Sequence, residues 1–176
     1  MGDALTDDSL SDPRCQEART TDAEKIAEIY NHYVRVGGAT FDLATWTAIQ
    51  VRELLQIKPP EVWVICSSDD DMLGWASARQ FSTRHGFRMS LESAIYMAPE
   101  AMGRGIADLL QQDVERRCRA ANIHHLMARI ISTNQRSIAF HRRHGYELVG
   151  IQKEVGHMDD RWIDLAIMQK ILTPAS

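Results

Sequence analysis

Two glycines, a glutamate and a histidine are the residues of this chain best suited by type and position to chemistry. Gly103 and Gly105 stand between the alternating stretch Leu91-Glu92-Ser93-Ala94-Ile95-Tyr96-Met97 and a run whose apolar residues fall at Ile106, Leu109, Leu110, Val114 and Cys118. The first has the period near two of a pleated strand, and the second the spacing of one helix face. The glycines therefore mark where the backbone enters a helix. Glycine adopts conformations other residues avoid and lets a ligand approach the main chain. The first amides of a helix are unpaired and carry partial positive charge, so such a turn suits an anion, phosphate above all. A tight connection with no ligand is the plainer reading. No Gly-Lys-Ser/Thr follows, which excludes a nucleotide P-loop, and Gly-x-Gly-x-x-Gly is absent, which excludes the dinucleotide fingerprint.

Glu92 lies in the middle of an apolar strand, projecting opposite Leu91, Ser93 and Ile95 and on the face of Tyr96. Burying a carboxylate costs several kcal/mol unless it is paired. The position fits acid–base work in a partly buried site, but also an exposed face or an ion pair with Arg84 or Arg88. His141 follows Ser137 by one helical turn, and its imidazole titrates near neutral pH, as a proton donor or relay requires. A structural histidine bonded to a carbonyl is the alternative. His141 and His144 have a spacing that metal sites use, but no Cys or acidic partner is nearby, and no metal is expected. Asn134 precedes the same helix as an N-cap. Arg84 is either solvated or a bidentate partner for a substrate anion.

These residues need a frame. A short strand over 15–18 leads to a capping box, Thr21-Asp22-Ala23-Glu24, which opens a helix with Ile26, Ile29, Tyr30 and Tyr33 on one face. Gly37-Gly38 stops it, and a second helix over 45–56 ends before Pro59-Pro60. Strands over 62–67 and 72–80 flank a solvated turn at Asp69-Asp70-Asp71. A loop over 81–89 then leads into the strand that carries Glu92, which Pro99 ends. A helix over 105–121, a strand over 125–131, a helix over 134–144 closed by Gly145, and strands over 146–155 and 162–170 complete the order. Strands early and late with helices between predict an α/β (α+β) fold, a mixed sheet with helices on both faces.

The 176 residues make one domain's worth of chain, read as residues 14–172 behind a flexible acidic tail over 1–13. Met1-Gly2-Asp3-Ala4-Leu5-Thr6 fits the short myristoylation pattern, a chance match on a tail. A net charge of −4 excludes a broad nucleic-acid surface, and no apolar run could cross a bilayer. Cys15, Cys66 and Cys118 read as free thiols of a cytoplasmic protein.

Met102-Gly103-Arg104-Gly105-Ile106-Ala107 resembles the Gln/Arg-x-x-Gly-x-Gly/Ala signature of the GNAT acetyltransferases. Tyr30-Asn31 with Thr40-Phe41-Asp42, the strand Leu91–Tyr96 and the run Asn134–Asp164 resemble one subfamily, the phosphinothricin and methionine sulfoximine N-acetyltransferases. The resemblance covers about residues 15 to 172. It implies the GNAT fold, a mostly antiparallel central sheet whose central strands splay to hold acetyl-CoA, and transfer of acetyl to the amine of a small amino-acid-like acceptor. Glu92 matches the subfamily's strand glutamate and is implied as general base, with His141 as acid or relay. Acetyl-CoA is expected on Ile95, Tyr96 and Met97, on the turn Met102, Gly103, Arg104, Gly105, Ile106, Ala107 and Asp108, and on Asn134 and Ser137. The Met97 N–H is the implied oxyanion donor. The acceptor is expected against Phe41, Phe81, Thr83, Arg84, Glu92, Ser93 and Ala94, with Phe41 equally readable as a core plug.

Gly156–Asp164 resembles the family's Gly-Arg-Trp-x-Asp segment, which implies a pocket edge and a homodimer contact, although Trp162 also reads as core. The chain departs from the pattern at Met102, where Gln or Arg is usual. It departs again at Arg79-Gln80-Phe81-Ser82, where relatives have Gly-Pro before the aromatic, and at Asp160, which replaces a glycine. The last two changes fall on the acceptor side. A protein N-terminal acetyltransferase and a non-catalytic acyl-CoA-binding module are the competing readings, the latter opposed by the presence of both Glu92 and His141.

Overall fold

The computed structural model describes residues 12–57, 61–69 and 71–172. Its elements run β1 (Arg14–Glu17), α1 (Ala23–Val36), α2 (Ala48–Leu55), β2 (Val62–Ser68), β3 (Asp71–Arg79), β4 (Ser90–Met97), α3 (Ile106–Ala120), β5 (His125–Ile131), α4 (Gln135–Arg143), β6 (Glu147–Met158) and β7 (Arg161–Ile171). The described strands form one sheet in the order β1-β2-β3-β4-β5-β7-β6. Every neighbouring pair is antiparallel except β4 with β5. Helices cover both faces. Tyr30 of α1 packs tilted against Trp75 of β3 and edge-on to Tyr96 of β4, while on the other face Gln111 of α3 reaches Tyr146 beside Ser93 of β4.

Periodicity explains these elements. The α3 stripe predicted from spacing buries Ile106, Leu110, Val114 and Cys118, with Leu109 left 39% exposed at its margin. Each fully buried aliphatic residue contributes about 1.5–3 kcal/mol relative to exposure. Gly37 takes φ 79° to end α1, and Gly145 takes φ 79° just past α4. The β6–β7 hairpin turns on Asp159 and Asp160, both at positive φ, so an aspartate meets there the demand that glycine usually meets.

Some expectations need correcting. The capping box expected at Thr21 is replaced by a 3-10 turn over Thr20–Asp22, in which the Arg19 N–H donates to Asp22 Oδ2 at 2.7 Å. Helix α2 begins later than expected because Thr47, whose Oγ1 accepts the Gln50 N–H, is the better cap. The 81–89 loop contains a 3-10 turn over His85–Phe87. The tail read over 1–13 falls mostly outside the described residues, as do Pro59, Pro60 and Asp70.

The feature that positions a site is the parting of β4 from β5. Their register runs only over Ser90, Leu91 and Glu92, opposite His125, Leu126 and Met127. The Ser93 hydroxyl donates to the Met127 carbonyl at 3.3 Å where the pairing ends. Behind it lies a buried chain of polar groups. Ser93 Oγ bonds the Tyr146 hydroxyl at 3.1 Å, Gln111 Nε2 donates to that hydroxyl and to Glu115 Oε1, and Lys170 Nζ donates to both Glu115 oxygens. Burial pushes the Glu115 carboxyl up, but the bonds from Lys170 and Gln111 outweigh it and hold the group below the ordinary range.

Candidate active site

A cleft of about 1620 Å3 opens where the two strands part. Its cofactor-sized half is built mainly from main chain. The Ala98 N–H donates to the Leu73 carbonyl, so the adjacent Met97–Gly74 pair turns its N–H and C=O away from β3 and toward the gap. Two residues earlier Ile95 does the same. The Met97 carbonyl accepts the Tyr33 hydroxyl at 2.7 Å, which pins the strand end. Gly74 allows this packing, because a Cβ there would meet the Met97 Sδ and the Tyr96 carbonyl at 2.9 Å.

The far end of this half is the turn into α3. Gly103 and Gly105 sit at φ 80° and 78°, and a Cβ on either would point into open space. Backbone conformation, not crowding, selects glycine here. Gly105 caps α3 with no side-chain hydrogen bond, so the first amides face the cleft for a ligand's oxygens. Asn134 Oδ1 accepts the Ser137 N–H at 3.0 Å, which leaves the Asn134 amide protons available to the cleft. Met102 is exposed, and Arg136 of α4 reaches over it with Nη1 3.3 Å from its Sδ. A cation thus stands beside the turn despite the unusual Met102. Gly103, Gly105, Ile106, Ala107 and Asp108 line the cleft along with Met102, whereas the exposed Arg104 lies outside its lining.

The other half is built from side chains. Glu92 sits at the last position where β4 pairs with β5, and its carboxylate receives a two-pronged bond from Arg129 of β5, Nε to Oε1 at 2.8 Å and Nη2 to Oε2 at 2.6 Å. An ion pair with Arg84 or Arg88 is one of the alternatives the sequence leaves open for Glu92; the pair forms, but with neither of them. It goes to Arg129 because the parallel register sets Met127 opposite Glu92, so Arg129 is the next residue on that face. The Glu92 bonds hold the Arg129 guanidinium pKa above its ordinary value. Arg79, directly across from Glu92 on β3, lies instead over the rings of Trp46 and Trp63, 5.8 and 5.3 Å from their centroids.

The loop before α2 closes this half. Tyr30 donates to Asp42 Oδ2 at 2.6 Å and shares a bond of 2.6 Å with Thr40 Oγ1, while Trp46 Nε1 donates to Asp42 at 3.0 Å. These contacts carry Phe41 onto β6, where its ring fills the space a Cβ on Gly156 would take. Phe41 is therefore both packed and cleft-lining. The register irregularity between Gln152 and Gly156, with Glu154 at φ 51° and its N–H bonded to Asp164, turns Val155, Gly156 and His157 toward the cleft. Phe81 lines the cleft and packs on Phe87, whereas Thr83 and Arg84 are exposed outside the lining. Glu92 and Ala94 line it too. Ser93 lines it as a buried residue whose hydroxyl is engaged with Met127 and Tyr146. Trp162 is 64% exposed and belongs to neither core nor cleft.

His141 is buried at the edge of the gap, edge-on to Tyr146. Its Nδ1 is 2.8 Å from the Ser137 carbonyl, which can only accept, so Nδ1 carries the proton. Burial lowers its pKa and so favours the neutral ring, whose lone pair is then on Nε2. In this tautomer His141 accepts a proton at Nε2. Glu61, a further acid lining the cleft, was not singled out by sequence. It accepts the Gln80 N–H at 3.1 Å, its Oε2 is buried without a partner, and burial raises its pKa. Among the described residues no three His, Cys, Asp or Glu side chains are grouped to hold a metal.

Comparison with known proteins agrees with this architecture. Residues 16–167 match the family model of the acetyltransferase (GNAT) domain. The chain is 32% identical over 171 residues to an L-methionine sulfoximine/L-methionine sulfone acetyltransferase of Pseudomonas paraeruginosa, covering 90% of this chain and 94% of the relative. A GNAT superfamily phosphinothricin acetyltransferase from Sinorhizobium meliloti, solved in complex with acetyl-CoA, superposes with a TM-score of 0.86 at 29% identity over 93% of this chain and 94% of that one. A ribosomal-protein-alanine N-acetyltransferase from Brucella melitensis superposes at 0.87 with 31% identity, over 90% of this chain and 99% of that one. A splayed β4–β5 edge, an uncapped glycine turn at α3 and a family match over most of the chain lead to one identification: the chain belongs to the GNAT acetyltransferase family.

Proposed function

We propose that this protein acetylates the α-amine of a small amino-acid-like acceptor of the phosphinothricin or methionine sulfoximine kind, with Glu92 as general base. The reaction class follows from the family: the protein is an acetyltransferase, and acetyl-CoA is its co-substrate. The residues present fit that cofactor. The Ile95 and Met97 main chain offers a ladder edge to an amide-bearing arm, and the α3 amides with Asn134 suit a pyrophosphate. The bound cofactor supplies an acetyl thioester.

What the chain's own residues do is deprotonate, orient and donate. An ammonium has no lone pair, so Glu92 takes one of its protons. The amine nitrogen then bonds to the acetyl carbon as the carbon–sulfur bond breaks, and its second proton leaves with the sulfur as a thiol. The Met97 N–H, already turned toward the gap, donates to the developing oxyanion without reorganisation. His141, proton-free at Nε2, relays a proton at the gap's edge. The carrying observation is a carboxylate and two arginines, Arg79 and Arg129, gathered at one end of the gap, where they suit an acceptor bearing both amine and anion.

Release of free thiol from acetyl-CoA tests this. Turnover with methionine sulfone, methionine sulfoximine or phosphinothricin, and none with short peptides, is the expected result. Peptide turnover alone would replace this reading with protein N-terminal acetylation, which the likeness to the ribosomal-protein enzyme keeps in view.

We further propose that a single GNAT domain spanning 14–172 assembles as a homodimer. β6 is an edge strand of 12 residues with Leu148, Val149, Ile151 and Val155 at least 40% exposed, a surface that suits a second copy. Light scattering on purified protein would reveal a dimer, and a monomer at micromolar concentration would contradict it. A cytoplasmic setting accords with Cys15 and Cys66, which face each other on β1 and β2 as free thiols. Among the described residues no helix is long and apolar enough to cross a membrane.

A further inference from the structure

The closed Glu92–Arg129 pair conflicts with the duty assigned to Glu92. Both oxygens of the carboxylate already accept from one guanidinium, so neither is free to receive a proton from an incoming ammonium while the fork is closed. The pair is also partly wet: the Arg129 side chain is 48% exposed and that of Glu92 24%. It is therefore open to competition. The second cation within reach, Arg79, is stacked over Trp46 and Trp63 and takes no part in the fork.

A free carboxylate presents to a guanidinium the same planar pair of oxygens that Glu92 presents. An acceptor carrying an α-carboxylate beside its ammonium has two complementary charges at the spacing of one carbon. Its carboxylate matches Arg129 and its ammonium matches Glu92. We infer that Arg129 reads the acceptor's α-carboxylate, and that its transfer from Glu92 to the acceptor frees Glu92 to take the ammonium proton.

This rests on the amino-acid-like acceptor of the preceding subsection and adds how that class is selected. An amine that fits the cleft but lacks the carboxylate leaves the fork closed and the base engaged. Acetylation removes the acceptor's positive charge, so the product loses its hold on Glu92 and keeps only its carboxylate's contact with Arg129; the Glu92–Arg129 fork closes again when the product leaves. Arg129 thus acts both as binding residue and as the lock on the base.

The experiment compares L-methionine sulfone with its α-carboxamide in the wild type, Arg129→Met and Arg129→Lys. Circular dichroism and acetyl-CoA calorimetry on each variant establish that it is folded and loaded. The wild type should prefer the acid by about 100-fold in kcat/KM, and Arg129→Met should cut that preference at least about 10-fold, mostly by slowing the acid. Arg129→Lys, which keeps the charge but loses the fork, should fall between them. Calorimetry with N-acetyl-L-methionine sulfone and its amide should show the same loss of carboxylate preference in binding alone. A preference that survives intact in a folded Arg129→Met protein would overturn the inference and leave the acceptor reading standing. If the acid is not acetylated at all while acetyl-CoA binds, both fall together.

Discussion

The two halves of the cleft are made of different materials. Around Met97, Gly103 and Gly105 the groups that face the gap are main-chain amides and carbonyls, set by where a strand stops pairing and where a helix begins. Around Glu92 they are side chains drawn from β3, β4, β5, β6 and the loop before α2. A main-chain site tolerates side-chain change and is shared across a family, whereas a side-chain site is rewritten by single substitutions. The departures of this chain follow that division. Met102 alters the first half and leaves its amides in place. Arg79, across from Glu92 in the β3–β4 register, falls in the second.

Substitutions can break or sharpen this contrast. The largest effect should come from beneath both halves. Lys170→Met would leave Glu115 buried with only Arg119 for a charged partner, and should cost about 3 kcal/mol in denaturant unfolding while weakening both functions. If Lys170→Met impaired acceptor use alone, the buried polar chain would not be a common support. Next, Gly156→Ala pushes a Cβ into the Phe41 ring. It should lose about 1–3 kcal/mol and raise the acceptor KM, with acetyl-CoA affinity kept. Gly105→Val is its mirror image. Holding a β-branched residue at φ 78° costs about 1–2 kcal/mol, so acetyl-CoA binding measured by calorimetry should weaken about 10-fold, with acceptor preference unchanged.

The smallest effect is in pH. Burial lowers the His141 pKa below its unfolded value, so the folded protein binds fewer protons in the window between the two. Stability should be full above the ordinary imidazole value of about 6.5 and fall as pH drops from there through the lowered one. His141→Gln should flatten that decline in thermal unfolding, and an unchanged slope would put the titrating group elsewhere.

The same division explains what the sequence made legible. The succession of strands and helices along the chain, the α3 stripe, the glycine turn and the Asn134 cap all depend on residues within a few positions of one another, and periodicity or capping rules reach that far. The Glu92 partner depends on a register between strands more than thirty residues apart, so sequence proximity offers only Arg84 and Arg88 as candidate partners and passes over Arg129. Arg136 over Met102 and Phe41 against Gly156 are hidden for the same reason. The Phe81–Phe87 contact accompanies a loop that leaves Arg84 exposed, which residue type alone does not encode. Arg129 carried one usable signal, a lone charge in an otherwise apolar strand, the same oddity that marked Glu92.

Chemistry and cofactor holding should be separable at Glu92. Measured together on Glu92→Gln, acetyl-CoA affinity by calorimetry should match the wild type within about twofold, while kcat with the best acceptor falls about 100-fold or more. Unchanged turnover in Glu92→Gln, with the loss appearing in Glu61→Gln instead, would move the base to Glu61 and contradict the account.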